Sequence, residues 1–379
     1  MRVTRNRDIL SMPWKFLAMP VRRHAPLLTA ALLLAVAPPV AAQPVQITDM
    51  EGRELRLARP AERVAAIPIP MASTLIALDG STRRLVGMHP LALSAIQEGI
   101  LGRIFPEAAR IPANITAPNF VPNIEALAAT RPDLVIQWGG RGADIVRPIE
   151  NAGLTVMLIL YGTEERARRY MRDVAIAIGR PERIEELVAW REVVQQRIAG
   201  VTSTIPEQRR PRVLYLLRAL SGLLAAGADP EIYNHFVIEL AGGRNAAQGL
   251  RGFTPVNAEQ IAAWNPDVIL LNSFEDQLTT EFVTRHPILS LTSAARGNRV
   301  YKMPLGGYRW DPPSQESPLT WMWLAMLLHP ERFDLDLRAE MRSAYRALYG
   351  HELTSAEIDE ILRIATQGEA ANYAAFRAR

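Results

Sequence analysis

Residues 124–136 read IEALAATRPDLVI, and a looser copy, AEQIAAWNPDVIL, stands at residues 258–270. Glu125 matches Glu259, Leu127 matches Ile261, Ala128 matches Ala262, Pro132 matches Pro266 and Asp133 matches Asp267, each pair 134 positions apart (125 to 259, 133 to 267). Each copy reads as a short helix, a break and a buried strand. The Pro-Asp pair makes the break, because proline cannot continue the helical hydrogen-bond ladder and the residue before it is pushed out of the helical region. Writing one helix–turn–strand phrase twice predicts two similar lobes, with the phrase as the third α/β unit of each.

Outward from the first copy, residues 45–60 alternate, turn at Glu51-Gly52 and alternate again, which predicts an opening β-hairpin. Strands are expected at 63–68, 85–88, 134–137 and 154–160, with helices at 71–78, 123–130 and 145–151; the Pro-rich stretch through Pro118 reads as irregular. Around the second copy, a strand at 212–217 leads through a Gly/Ala-rich turn to a helix at 232–240. The copy itself follows, then a strand at 300–303 and a helical tail from Leu319. The strands are continuous apolar runs, the mark of parallel sheets covered on both faces. The stretch 164–198 differs: Ile184, Leu187, Val188, Val194 and Ile198 fall at helical spacing, with a break at Gly179-Arg180-Pro181. The expected class is therefore α/β: two α/β sandwich lobes with mainly parallel sheets, joined by a long rigid helix. The divisions are a first lobe at 43–163, a connecting helix at 164–200, a second lobe at 201–333 and a helical extension at 334–379. In that extension the amphipathic stretch 355–366 is expected to pack on the second lobe.

Composition narrows the setting. Residues 1–24 are cationic, residues 25–37 (APLLTAALLLAVA) are apolar, and Val40-Ala41-Ala42 places small residues before Gln43. That is the layout of a secretory signal peptide cleaved after Ala42, and the 13-residue run is short of the ~20 residues that span a bilayer. Arg22-Arg23 leaves general or twin-arginine export open. With no cysteine there is no disulfide, thiolate metal site, iron–sulfur cluster or lipidated cysteine, so a free periplasmic protein is expected rather than a lipoprotein. Six Lys or Arg and one Asp within residues 1–42 leave the rest of the chain near −1 out of a total of +4, which gives no case for nucleic-acid binding.

Four stretches carry a family resemblance: TDMEGRELRLARPAERVAAI, NIEALAATRPDLVIQWGG, RVLYLLRALSGLLAAG and NAEQIAAWNPDVILLN. With the closing YKMPLGGYRWDPPSQESPLTWMWLAMLLHPERF, they resemble the periplasmic substrate-binding proteins of iron–siderophore, haem and vitamin B12 ABC importers over residues 45–333. The resemblance implies a cleft between the lobes, a permease and its ATPase as partners, and one acid per lobe for docking. Asp144 stands at the first-lobe position, and Glu275 or Asp276 at the second.

Ligands of open α/β sheets bind at the carboxyl ends of strands. Those ends hold Met71, His89, Trp138, Arg141 and Tyr161 in the first half, with Asn119 and Phe120 on a candidate rim. The second half supplies Arg218, Tyr233, Phe253, Asn272, Phe274, Tyr308, Arg309 and Trp310. The cluster Tyr308-Arg309-Trp310, between Gly306-Gly307 and Asp311-Pro312-Pro313, is expected to be the most exposed. Aromatic faces and guanidinium forks suit an anionic, partly flat ligand, such as a ferric chelate bound by a monomer without a resident cofactor. Haem, a corrinoid or a molybdate-type oxyanion stay open, with His89 or His235 as axial ligands. No two of the histidines after residue 42 lie at i, i+4, so a bare metal ion is disfavoured. An enzyme is disfavoured too: GxxxxGK[ST] and GxSxG are absent, as are the cysteines that nitrogenase-like relatives of this architecture need. A docking module without ligand is the remaining alternative.

Overall fold

The computed structural model describes residues 44–219 and 222–378, without the side chains of Arg218 and Ala219; the expected signal peptide lies outside the described residues.

The repeated phrase folds the same way twice. Asn123 caps the helix Ile124–Ala129 by accepting from the N–H of Ala126, and Asn257 caps Ala258–Trp264 by accepting from Gln260. The residues before proline, Arg131 and Asn265, both take left-handed backbone (φ 48° and 44°), which turns each chain sharply out of its helix. Asp133 then accepts from the backbone N–H groups of Glu62 and Arg63, while Asp267 accepts from that of Arg212. Arg63 and Arg212 close the corner by donating to helix-end carbonyls, Thr130 O and Arg131 O in one lobe and Trp264 O in the other. Arg63 stands just before an inner strand of its sheet and Arg212 begins one, so the Pro-Asp pair is a corner latch that sets the register of two neighbouring strands.

In the first lobe, β1 (Val45–Thr48) and β2 (Glu54–Leu57) form the expected antiparallel hairpin. The hairpin docks on the main sheet, where Asp49 accepts from the N–H of Leu158 at 3.1 Å. That sheet holds β3 (Val64–Ala66), β4 (Leu85–Met88), β5 (Leu134–Trp138) and β6 (Val156–Ile159) in the order β4-β3-β5-β6, all parallel. The stretch read as irregular contains helices Pro90–Glu98 and Leu101–Ile104. Proline at the first helical position, with His89 as cap, is a helix start hidden in a Pro-rich segment.

The second lobe has β7 (Arg212–Ala219), β8 (Gly222–Ala226), β9 (Arg244–Asn245), β10 (Phe253–Pro255), β11 (Val268–Leu271) and β12 (Val300–Lys302). The order is β10-β8-β7-β11-β12, with β9 beside the start of β7. β7, β11, β12 and β9 are parallel, as expected. The Gly/Ala-rich segment after β7 is a strand rather than a turn: β8 runs antiparallel to β7, and β10 antiparallel to β8. This strand is half-buried at Gly222–Leu224, and its short Leu-Leu-Ala-Ala run between Gly222 and Gly227 reads as a turn.

Helices Glu164–Ala177 and Pro181–Thr202 meet near the expected break. The second has 22 residues, about 33 Å at 1.5 Å per residue. It packs along Ser317–Leu328, a helix buried on every side. The buried Arg191 on this spine donates to both oxygens of Glu164 and to Ser314 O.

The C-terminal extension touches both lobes. Gln367 bonds the backbone N–H and carbonyl of Lys302 on β12, a contact with the second lobe. Glu360 pairs in a fork with Arg103 of the first lobe, and Leu337–Tyr349 packs on the helix Met71–Asp79.

Candidate functional site

Between the lobes, at the carboxyl ends of β5, β6, β7 and β11, lies a cleft of about 450 Å³. Its size falls within the ~300–1,000 Å³ of ordinary small-molecule sites.

The first-lobe wall is a ladder of rings. His89 stacks on Phe120 at 4.5 Å, Phe120 meets Trp138 edge-on at 6.5 Å, and Trp138 meets Tyr161 edge-on at 6.3 Å. Phe120, Trp138 and Tyr161 line the cleft. Phe120 stands in left-handed backbone (φ 69°), a costly conformation for a bulky residue, and Gln137 holds it there by donating to its carbonyl at 3.1 Å. Arg141 lies exposed at the mouth, its guanidinium 4.8 Å above the Phe120 ring and donating to Asn119 O. Burial pushes the Tyr161 phenol up, so it stays protonated.

The second-lobe wall is apolar at Leu217, Phe253, Phe274 and Pro312 and polar at Tyr215, Asn234, Asn272 and Asp311. Asp311 is its centre. Its carboxylate accepts from Tyr215 Oη at 2.9 Å, from the Ser273 N–H at 3.0 Å and from the Ser273 hydroxyl, while its backbone carbonyl accepts from Asn234 Nδ2. Burial pushes both the Asp311 carboxyl and the Tyr215 phenol up, and the phenol donates to the carboxyl group. Asn272 Oδ1 is buried without a hydrogen-bond partner among the described residues.

Of the expected site residues, Trp138, Arg141, Tyr161, Phe253, Asn272 and Phe274, with Phe120 of the rim, come together in the cleft. Others do not. Met71 is fully buried at the start of its helix, while the neighbouring Ile69 and Pro70 line the cleft. His89 is buried, with Nδ1 accepting from the Leu91 N–H and Nε2 donating to Pro118 O, so neither nitrogen is left for an axial bond. Burial lowers its pKa to about 4. Tyr233 is fully buried and accepts from Trp321 Nε1; the cleft takes the next residue of that helix, Asn234. His235 lines a separate polar pocket with Arg210, Glu239 and Arg244.

The cluster expected to be exposed is buried. Trp310 donates to Glu316, Tyr308 is wholly enclosed, and Arg309 pairs with Glu98 of the first lobe at 2.7 Å. The extension covers this loop: Tyr345 and Tyr349 both bond Glu316 behind it. Arg218 is the last residue but one of β7, and its side chain lies outside the described residues. Asp144 is exposed in the first turn of Ala143–Asn151; Glu275 is half-buried in the loop after β11, and Asp276 beside it is exposed.

Sequence reading missed Tyr215 and Leu217, which sit inside a strand rather than at its end, and Asp311, hidden by its Pro-rich neighbours. Among the described residues no cluster of His, Cys, Asp or Glu could hold a metal ion, and no helix is long and apolar enough to cross a membrane.

Comparison with known proteins agrees with this architecture. The periplasmic binding protein family matches residues 118–305. The molybdate-binding protein MolA of Haemophilus influenzae is 24% identical over 329 residues, 80% of this chain and 90% of that one. The vitamin B12-binding protein of Salmonella typhimurium is 24% identical over 204 residues, 53% of this chain and 72% of its own. A periplasmic solute binding protein from Veillonella parvula superposes with a TM-score of 0.77 at 30% identity, covering 86% of this chain and 99% of that structure. With a relative 30% identical and covered over 99% of its length, the chain belongs to the periplasmic binding protein family that serves ABC importers.

Proposed function

We propose that the protein is the periplasmic solute receptor of an ABC importer and that its cargo is an organic metal chelate of the ferric–siderophore kind, carried as a monomer to an inner-membrane permease and its ATPase. The observation that carries this reading is the wall of Phe120, Trp138, Tyr161, Phe253 and Phe274 around a cleft of about 450 Å³. Rings at that density bury a ligand with large flat or apolar surface, and they offer little to a small, strongly hydrated ion. Arg141 at the mouth adds a guanidinium that can meet a carboxylate or catecholate oxygen of the chelate. The metal travels inside its ligand as cargo, so no resident cofactor is needed.

Delivery follows from the outward-facing acids. Asp144 on the first lobe, with Glu275 or Asp276 on the second, would pair with permease cations, and release would follow when the permease draws the lobes apart. Molybdate is the rival cargo, favoured by the likeness to MolA. Native mass spectrometry of protein recovered from its own periplasm, with metal analysis of the same sample, separates the readings. A bound organic mass with iron supports the chelate; molybdenum without organic mass favours the rival. A protein that stays empty and unshifted in thermal melts against ferric chelates, haemin, cobalamin and molybdate would overturn the receptor reading.

A further inference from the structure

The polar groups of the cleft are not spread evenly. The first lobe offers rings and, at the mouth, Arg141. The second lobe offers acceptors at depth. Asp311, Asn272 and Tyr215 are all buried there, and all three line the cleft. Asp311 already receives three hydrogen bonds, from Tyr215 Oη, the Ser273 N–H and the Ser273 hydroxyl, and these favour its ionised, accepting form against the burial that pushes its carboxyl up. Asn272 Oδ1 has no hydrogen-bond partner among the described residues. Among the described lining residues the one guanidinium, Arg141, is on the opposite lobe and exposed.

A buried carboxylate repels a second anion brought beside it, because the low dielectric around it screens little; the buried Arg309, tied to Ser273 O behind Asp311, offsets only part of that repulsion. A buried acceptor without a partner favours whichever ligand brings it a donor, and a site built around such groups rejects analogues that lack the donor. We propose that Asp311, held by Tyr215 and Ser273, and Asn272 determine the specificity of the cleft. They reject cargo that turns only anionic oxygens to the second lobe, and they select a chelate that turns a hydrogen-bond donor there: an ammonium, an amide N–H or a hydroxyl. The anionic or flat part of that chelate lies against Arg141 and the first-lobe rings. This inference rests on the chelate reading above and narrows it: the cargo is two-faced, and a bare tetrahedral oxyanion is excluded.

The test is a set of fluorescence titrations of the mature full chain, with Trp138 in the cleft as reporter. The probes are ferrioxamine B (an iron trihydroxamate bearing an ammonium and amide N–H groups), ferric citrate and molybdate. The wild type is expected to bind ferrioxamine B roughly tenfold or more tighter than ferric citrate and to show no saturable response to molybdate. Asp311→Asn is expected to erase most of that preference, weakening ferrioxamine B and strengthening ferric citrate. Asn272→Leu, close in size, is expected to weaken ferrioxamine B roughly tenfold and leave ferric citrate unchanged; it decides the matter alone if Asp311→Asn fails to fold. Equal binding of the two chelates by the wild type, or a preference untouched by either variant, overturns the inference and leaves the chelate reading standing. Saturable molybdate binding that displaces the chelates overturns the inference as well. Failure of both chelates to bind a folded wild type overturns the chelate reading and this inference with it.

Discussion

His89 caps Pro90–Glu98 with one ring nitrogen and bonds Pro118 O with the other, and it packs against Phe120 behind the cleft wall. Burial pulls its pKa to about 4 from an ordinary 6.5. The folded protein therefore binds this proton less readily than the unfolded chain, and the stabilisation is complete above pH 6.5 and lost as the pH falls towards 4. A shift of that size corresponds to roughly 3 kcal/mol. Asparagine at this position keeps a capping oxygen but cannot titrate. Urea unfolding of wild type and His89→Asn should therefore converge as the pH drops from 6.5 to 4; a constant difference would show that His89 does not carry the effect. Glu316 has the opposite sign. Burial raises its pKa to about 6 although four donors meet it, so its contribution is complete below 4.5 and lost as the pH rises through 6. Gly306 and Gly307 make that cradle possible, because a Cβ on either would overlap the Glu316 carboxylate and a tyrosine hydroxyl behind it. Gly306→Ala is expected to cost about 1–3 kcal/mol, read as a lower urea midpoint; an unchanged midpoint would mean that the cradle yields freely.

At the scale of elements, the spine and the corner latches set the lobes. Arg191 is wholly buried and joins the spine to Glu164 and to the loop at Ser314. Arg191→Ala leaves the Glu164 carboxylate in a nearly closed site with Arg168 as its remaining partner, and is expected to cost ~3–5 kcal/mol in denaturant titration. A loss below 1 kcal/mol would assign the holding of the spine to its apolar face. The latches were legible before the structure because they are local: a proline, an aspartate and an apolar strand within ten residues carry the whole instruction. The antiparallel edge β8–β10 was not, since half-buried Gly222, Leu223 and Leu224 followed by two buried alanines write no clear period. Site residues divide the same way. Trp138, Tyr161 and Asn272 follow from a strand-end rule that a sequence can apply. Asn234 was missed by one position, because a single helical residue decides which side chain faces the cleft and which, like Tyr233, enters the core. Tyr308-Arg309-Trp310 looked like an exposed loop between glycines and prolines. What buries it is an extension that begins some 25 residues further on, a tertiary contact that no local pattern announces.

For the whole molecule the question is how far the lobes move when cargo enters. One helical segment, Pro181–Thr202, leads from the first lobe to the second, and a helix bends far less easily than strand hinges do. The loop 304–317 adds ties that cross between the lobes, buried at Thr74–Gln315 and exposed on the Glu98 side of the Arg309 pair. Arg309 bonds Glu98, Gln315 accepts from Thr74 Oγ1 at 2.9 Å, and the Ile100 N–H donates to Gly306 O at 3.2 Å. The extension adds Arg103–Glu360, but both partners are about half exposed, so that pair contributes little and its removal should leave the geometry unchanged. A cleft tied along one side in this way is largely formed before the cargo arrives, and binding selects rather than assembles it. The radius of gyration from X-ray scattering should therefore change only slightly on saturation with a bound chelate, in wild type and in Glu360→Ala alike. Glu98→Ala, which removes the carboxylate that pairs with Arg309, should make the free protein measurably more open and enlarge the change on binding. A large compaction of the wild type would mean that the spine and the loop do not set the lobe angle, and the preformed cleft would have to be abandoned.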